Sequence, residues 1–196
     1  MNSVQAATSL KQRFTDSVSD PQEFRGDAAV FVERSAILDV CRFLRDDATL
    51  SFDMLTDISG VDYQDQEPRF EVVYHLYSYQ NACWLRLKVR ISEDDCACPS
   101  VTGIWRGADW HEREAYDMYG IIFMGHPDLR RILMWDRYPY HPLRKEFPLA
   151  GKEAPLPDDD LDHIKAKPIP LAGGPFVSSP GGATTIEREP RAKGES

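Results

Sequence analysis

The chain has 196 residues and a formal net charge of −9, with 23 Lys and Arg against 32 Asp and Glu. Its hydrophobic fraction of 42% and aromatic fraction of 11% suffice for one ordinary domain with an appendage. The acidic balance argues against nucleic acid as the main partner, because phosphate binding needs a basic footprint. The longest apolar runs, such as Ile121 to Met124, are too short to span a bilayer.

Met1 to Leu10 lacks the basic start and apolar stretch of a secretory signal, so any membrane association is expected to come through a partner protein. With no export signal, Cys41, Cys83, Cys96 and Cys98 read as reduced thiols in a cytoplasm.

In chain order, Val4, Leu10, Phe14 and Val18 stand near helical spacing and predict a helix over residues 3–19, ended by Pro21. Ala28 to Glu33 predicts a short strand. Ser35 is placed as the N-cap of a second helix, with Ile37, Cys41 and Leu44 on one face. From Leu50 to Ile58 the period becomes two: Leu50, Phe52, Met54, Thr56 and Ile58 are predicted to share a buried face. Phe70 to Tyr79 and Trp84 to Ile91 form a hairpin through a short connection containing Asn81. In the second of these strands Leu85, Leu87, Val89 and Ile91 point one way, while Arg86, Lys88 and Arg90 make a solvated face. A helical segment from Val101 to Tyr119 follows, broken near Gly103 and Gly107. Asp109 and Glu112 stand at capping-box spacing, and Gly120 is the helix stop.

Helix, strand, helix and three consecutive strands imply an α+β two-layer sandwich, with helices packed on one mixed sheet. The last 46 residues hold seven of the 14 prolines, six of the 12 glycines and one aromatic, Phe176. Such a segment cannot offset its own ordering entropy. The expected division is therefore a domain over 1–150 and an extended tail over 151–196, disordered or laid along a neighbour.

Signs of catalysis are weak. The cysteines have neither C-x-x-C nor ferredoxin spacing. His111-Glu112 starts a zinc-protease motif, but Ala115 stands where its second histidine belongs. There is no nucleophile elbow or phosphate loop. The densest chemistry lies in residues 111–133, HEREAYDMYGIIFMGHPDLRRIL. On a helical wheel Arg113, Glu114 and Asp117 share a face with Trp110, and Arg113 with Asp117 is an i, i+4 pair. A chain doubling back after Gly120 sets Arg130 and Arg131 beside Glu112 or Glu114. The expectation is a structural ion cluster that fixes this return. Met134 to Leu149 adds Trp135, Tyr138, Tyr140 and Phe147 among arginines and prolines, the composition of an interface or of a loop packed on its own domain.

These residues resemble the 30-kDa subunit family of respiratory complex I, the NADH:quinone oxidoreductase. The family pattern is met at Glu112-Arg113-Glu114, Asp117, Met118-Tyr119, His126, Arg130 and Ile132 without departure. Similarity continues through Gly125 to Leu133 and through His141-Pro142-Leu143-Arg144-Lys145-Glu146-Phe147-Pro148-Leu149. It extends more loosely back to Leu55 through Tyr63.

The resemblance implies a cofactor-free member of the peripheral arm, on the cytoplasmic face of a bacterial inner membrane. Its implied neighbours are the quinone-cavity subunit, which forms much of the cavity wall, and the iron–sulfur subunits. FMN and iron–sulfur clusters would belong to partners, with quinone bound nearby. Related subunits occur in membrane-bound hydrogenases and in quinone oxidoreductases fed by other donors. From the residues alone, the competing readings are a stand-alone acid–base enzyme using Glu112, Asp117 and His126, and a soluble adaptor.

Overall fold

The computed structural model describes residues 1–152. Helix α1 (Ser3–Arg13) starts where Asn2 and Gln5 make a reciprocal capping box, Asn2 Oδ1 accepting from Gln5 N at 2.8 Å and Gln5 Oε1 from Asn2 N at 3.0 Å. It ends earlier than its spacing predicts. Phe14 and Val18 are drawn inward by tertiary contacts: Phe14 packs edge-on to Phe43 at 5.7 Å, and Val18 bridges Val32. An exposed three-residue strand, β1 (Gln22–Phe24), follows and pairs with β2 (Asp27–Phe31). Ser35 lies in a 3-10 turn and makes no cap. Helix α2 (Ile37–Asp46) starts behind Ala36 without a side-chain bond and buries Ile37, Val40, Cys41 and Leu44.

Strands β3 (Met54–Asp62), β4 (Phe70–Ser78) and β5 (Cys83–Ile91) form an antiparallel meander, and β5 runs parallel to β2. The sheet order β1-β2-β5-β4-β3 is therefore mixed, as expected. One face carries Ala28 and Val30, Leu85 through Ile91 at alternate positions, Phe70, Val72, Tyr74 and Leu76, all in the core. At roughly 1.5–3 kcal/mol for each large apolar side chain, this face supplies most of the drive to fold.

The predicted face of the third strand holds at Leu50, Phe52 and Ile58 but fails at Met54 and Thr56. Met54 is 37% exposed, Leu55 is buried, and a bulge at Thr56 resets the alternation so that Ile58 points inward. Gly60 follows on that face, where a Cβ would stand 2.5 Å from the Tyr119 ring, so only glycine admits the tyrosine.

Past a short strand, β6 (Ala97–Pro99), the segment Val101 to Trp105 turns without forming an α-helix. Helix α3 (Ala108–Tyr119) begins only behind Gly107. The expected capping box fails because Asp109 is already inside the first turn and Glu112 faces the core. After Gly120 comes β7 (Ile122–Met124), which pairs parallel with β6. The expected tail begins at 151 and, from residue 153 onward, lies outside the described residues.

Candidate functional site

Helix α3 carries its charged groups to two different places. Glu112 is fully buried; Oε1 accepts from Val101 N at 2.7 Å, while Oε2 meets no hydrogen-bond partner. Burial pushes its pKa up to about 7, against the pull of the Ser100 hydroxyl and the Val101 N–H. Its neighbourhood includes Tyr74, whose hydroxyl lies 3.3 Å from Cys98 Sγ.

Asp117, also fully buried, sits in a cradle made by the returning chain. Its carboxylate accepts from the N–H groups of Ile132 (3.1 Å), Leu133 (2.7 Å) and Met134 (2.8 Å), and from Arg131 Nη1 at 2.5 Å. Successive backbone N–H groups turned to one point form an anion nest. Burial alone would raise this carboxyl; the N–H groups of Met134 and Leu133, then Arg131 and Ile132, outweigh it and hold the pKa below the usual value. The predicted partner Arg113 goes elsewhere. Its guanidinium donates to the carbonyls of Arg130 at 3.2 Å and Arg131 at 3.3 Å, and lies 5.0 Å from the centre of the Trp110 ring.

The rest of the return is fastened the same way. His141 Nδ1 lies 3.0 Å from the Asp117 carbonyl, Leu143 N donates to the Met118 carbonyl, and Arg144 Nε donates to the Tyr119 carbonyl at 2.7 Å. Lys145 N donates to Asp62 at 2.8 Å. Residues 130–146 thus form a strap without regular secondary structure, held by side chains that satisfy backbone groups.

His126 is buried through its side chain. Nδ1 accepts from Asp128 N at 3.0 Å, which leaves the Nε2 proton directed at the Asp109 carbonyl, 3.2 Å away. Arg130 pairs with Asp128 at 3.0 Å, both side chains in the solvent. Glu114 is exposed, and His111 Nδ1 lies 3.2 Å from Asp57. Glu112, Asp117 and His126, the trio proposed for acid–base work, are therefore bound to three different segments. Among the described residues there is no cluster of His, Cys, Asp and Glu suited to a metal.

One ionic centre was missed by sequence reasoning. Arg69 forks onto Asp62 at 2.9 and 2.8 Å, reaches Glu93 at 2.8 Å, and pairs with Glu146 of the strap. The Arg69 guanidinium, with the N–H groups of Lys145 and Gln64, holds the Asp62 carboxyl far below its usual range despite burial. The signal was available: Ile58, Gly60 and Asp62 share the core face, and an acid there needs a partner. The predicted strand ended at Ile58, before it. The aromatics of residues 134–149, for which both an interface and a packed loop were expected, pack within their own chain. Trp135 meets Tyr138 at 4.6 Å, Tyr138 meets Tyr140 at 5.6 Å and Tyr140 meets Phe147 at 6.0 Å, so they pack on each other. Leu133 and Leu143, 58% and 50% exposed, face outward instead.

The geometry defines an α+β domain that presents a pinned strap, and among the described residues Glu112, Asp117 and His126 do not converge on one cleft. Residues 30–153 match the family described as the respiratory-chain NADH dehydrogenase 30-kDa subunit. An NADH-quinone oxidoreductase subunit from Roseiflexus sp. (strain RS-1) is 51% identical over 74% of this chain and 83% of its own. Its counterpart from Citrifermentans bemidjiense is 49% identical over 76% and 91%. Among solved structures, a trypsin-resistant fragment of Nqo5 is 31% identical over 64% of this chain and 98% of the fragment, with a TM-score of 0.50. A chain of an archaeal membrane-bound sulfane sulfur reductase shares the fold, with a TM-score of 0.63 at 22% identity. The chain belongs to the 30-kDa subunit family of the respiratory-chain NADH dehydrogenase.

Proposed function

We propose that the chain is a peripheral-arm, quinone-module subunit of a proton-translocating NADH:quinone oxidoreductase, and that it shapes and holds the assembly while doing no chemistry itself. In this reading residues 111–149 dock against the quinone-cavity subunit and the neighbouring iron–sulfur subunits. FMN and the iron–sulfur clusters belong to those partners, and quinone binds near them. Attachment to the cytoplasmic face of a bacterial inner membrane runs through the partners; among the described residues, no helix is long and apolar enough to cross a membrane.

The observation that carries this reading is the engagement of Asp117 with three successive N–H groups and Arg131. A buried charge is being used to hold backbone in shape, and the strap it shapes turns Leu133 and Leu143 outward. The hydrogenase and other-donor readings gain no support from the relatives above, which are NADH-quinone oxidoreductase subunits.

The test is made in the host bacterium. In Arg113→Ala the carbonyls of residues 130 and 131 lose their donor, and in Glu114→Ala an exposed contact is lost. Membrane NADH:quinone reductase activity is expected to fall in step with the amount of assembled complex on native gels, with unchanged turnover per complex. Full assembly with slow turnover would mean that these residues serve the reaction itself.

A further inference from the structure

All three helices lie on one side of the five-stranded sheet, and no element among the described residues covers the other. Two features separate this open face from an ordinary solvated one. Its corner is aromatic: the Tyr77 ring stands 4.7 Å from Trp84 and 5.2 Å from Tyr79, whose hydroxyl reaches the Met54 sulfur. Trp84 is 45% exposed and Tyr79 64%. Beside that corner, β5 turns Arg86, Lys88 and Arg90 outward. Near the centre of the sheet, among the described residues, the buried Glu71 opposes them, 3.2 Å from Lys88 and 2.9 Å from Arg90. Arg86 Nε is closed off from solvent and meets no acceptor among the described residues. At the edge Asp57 turns to His111, and Asp27 stands at the start of β2, one strand in from the outer β1.

The result is a cationic island next to exposed aromatics, on a chain whose net charge is −9. Trp, Tyr and Arg are the residues that dominate interface centres. Lys88 and Arg90 are held in place by Glu71, and a fixed guanidinium matches carboxylates better than a loose charge does. A second copy of this chain is a poor occupant, because a two-fold pairing sets Arg86 and Lys88 against themselves. We propose that this open sheet face is a second docking surface, on the side away from the strap, for a neighbouring protein that presents carboxylates to Arg86 and Lys88 and an apolar group to Trp84 and Tyr79. It does not depend on the respiratory assignment; it holds for whatever assembly the chain joins.

The test places the photo-crosslinking residue p-benzoylphenylalanine at position 84 of the full chain, expressed in its host, and isolates the assembly in mild detergent. The expected product is a cross-link to one other protein, mapped by mass spectrometry to a segment rich in Asp or Glu beside apolar residues. Adding Arg86→Glu is expected to lower its yield about tenfold, with Arg86→Lys close to the parent. A cross-link to a second copy or to lipid would overturn the proposal, as would an unchanged yield with Arg86→Glu or no cross-link within an intact assembly. A cross-link to an acidic neighbour in a complex that lacks NADH:quinone reductase activity would uphold this surface while removing the proposed function.

Discussion

Glu112 and Asp117 are both fully buried carboxyls on α3, yet their surroundings drive them in opposite directions. Asp117 meets four donors; Glu112 has the Val101 N–H and the pull of the Ser100 hydroxyl, and leaves Oε2 without a hydrogen-bond partner. The consequence for Glu112 has a definite sign. With its pKa raised from 4.5 to about 7, the folded chain keeps a proton that the unfolded chain has released. Its contribution is fully present below pH 4.5 and is lost as pH rises through 7. At ~1.4 kcal/mol per pH unit, a shift of that size corresponds to about 3 kcal/mol. Glu112→Gln keeps an acceptor for Val101 and cannot ionise. Urea midpoints from pH 4 to 8 are expected to show the variant gaining on the parent as pH rises. His75 and His141, both lowered by burial, act alike in the two proteins, so the difference isolates position 112. Parallel profiles would show that Glu112 ionises as freely in the folded chain as in the unfolded one.

At the scale of elements, α3 and the strap are joined at Gly120. Its φ of +80° is a left-handed conformation, and a Cβ there would lie 2.7 Å from His141 Nε2 and 2.8 Å from Arg144 Nη2. Gly120→Ala is expected to destabilise by roughly 2–3 kcal/mol: about 1 for the backbone, and the rest from shifting His141 and Arg144 off their carbonyls. Urea denaturation measures it, and a change below about 0.5 kcal/mol would mean that the strap yields without loss. The glycine stop was legible in the sequence because it is local chemistry. So were β4 and β5, whose alternation runs unbroken over one buried face. The bulge at Thr56 was not, since nothing in the run from Leu50 to Ile58 marks where a strand admits an extra residue. The all-exposed β1 carried no pattern to read. In the site, the motif pointed to the right residues but not to their partners. Spacing along a helix favoured Arg113 for Asp117, whereas Arg131 and three N–H groups arrive from a return path that only the folded chain defines. Glu112 went to Val101 for the same reason.

At the scale of the whole molecule, the strap is bolted at two ends by carboxylates of lowered pKa: Asp117 under residues 131–134, and Asp62 with Arg69 under Lys145 and Glu146. A group whose folded pKa is depressed stabilises fully above its unfolded value and loses that stability as pH falls through the folded one. Both bolts therefore hold at neutral pH and weaken below the ordinary carboxylate range near pH 4. The core face of β4 and β5 carries no carboxylate, since its residues, such as Val72, Leu76 and Leu87, are apolar. Acid should consequently free the strap before it unfolds the domain. Hydrogen exchange with mass spectrometry at pH 7 and pH 3, corrected for intrinsic rates, is expected to show protection lost first at Ile132, Leu133 and Met134, while β4 and β5 stay protected. In Asp117→Asn the neutral amide still accepts from the backbone but no longer attracts Arg131, so the same peptides should exchange at pH 7 as the parent does in acid. Simultaneous loss of protection in strap and sheet would mean that the strap is part of one cooperative unit, and that its shape is set by the core instead of by these two carboxylates.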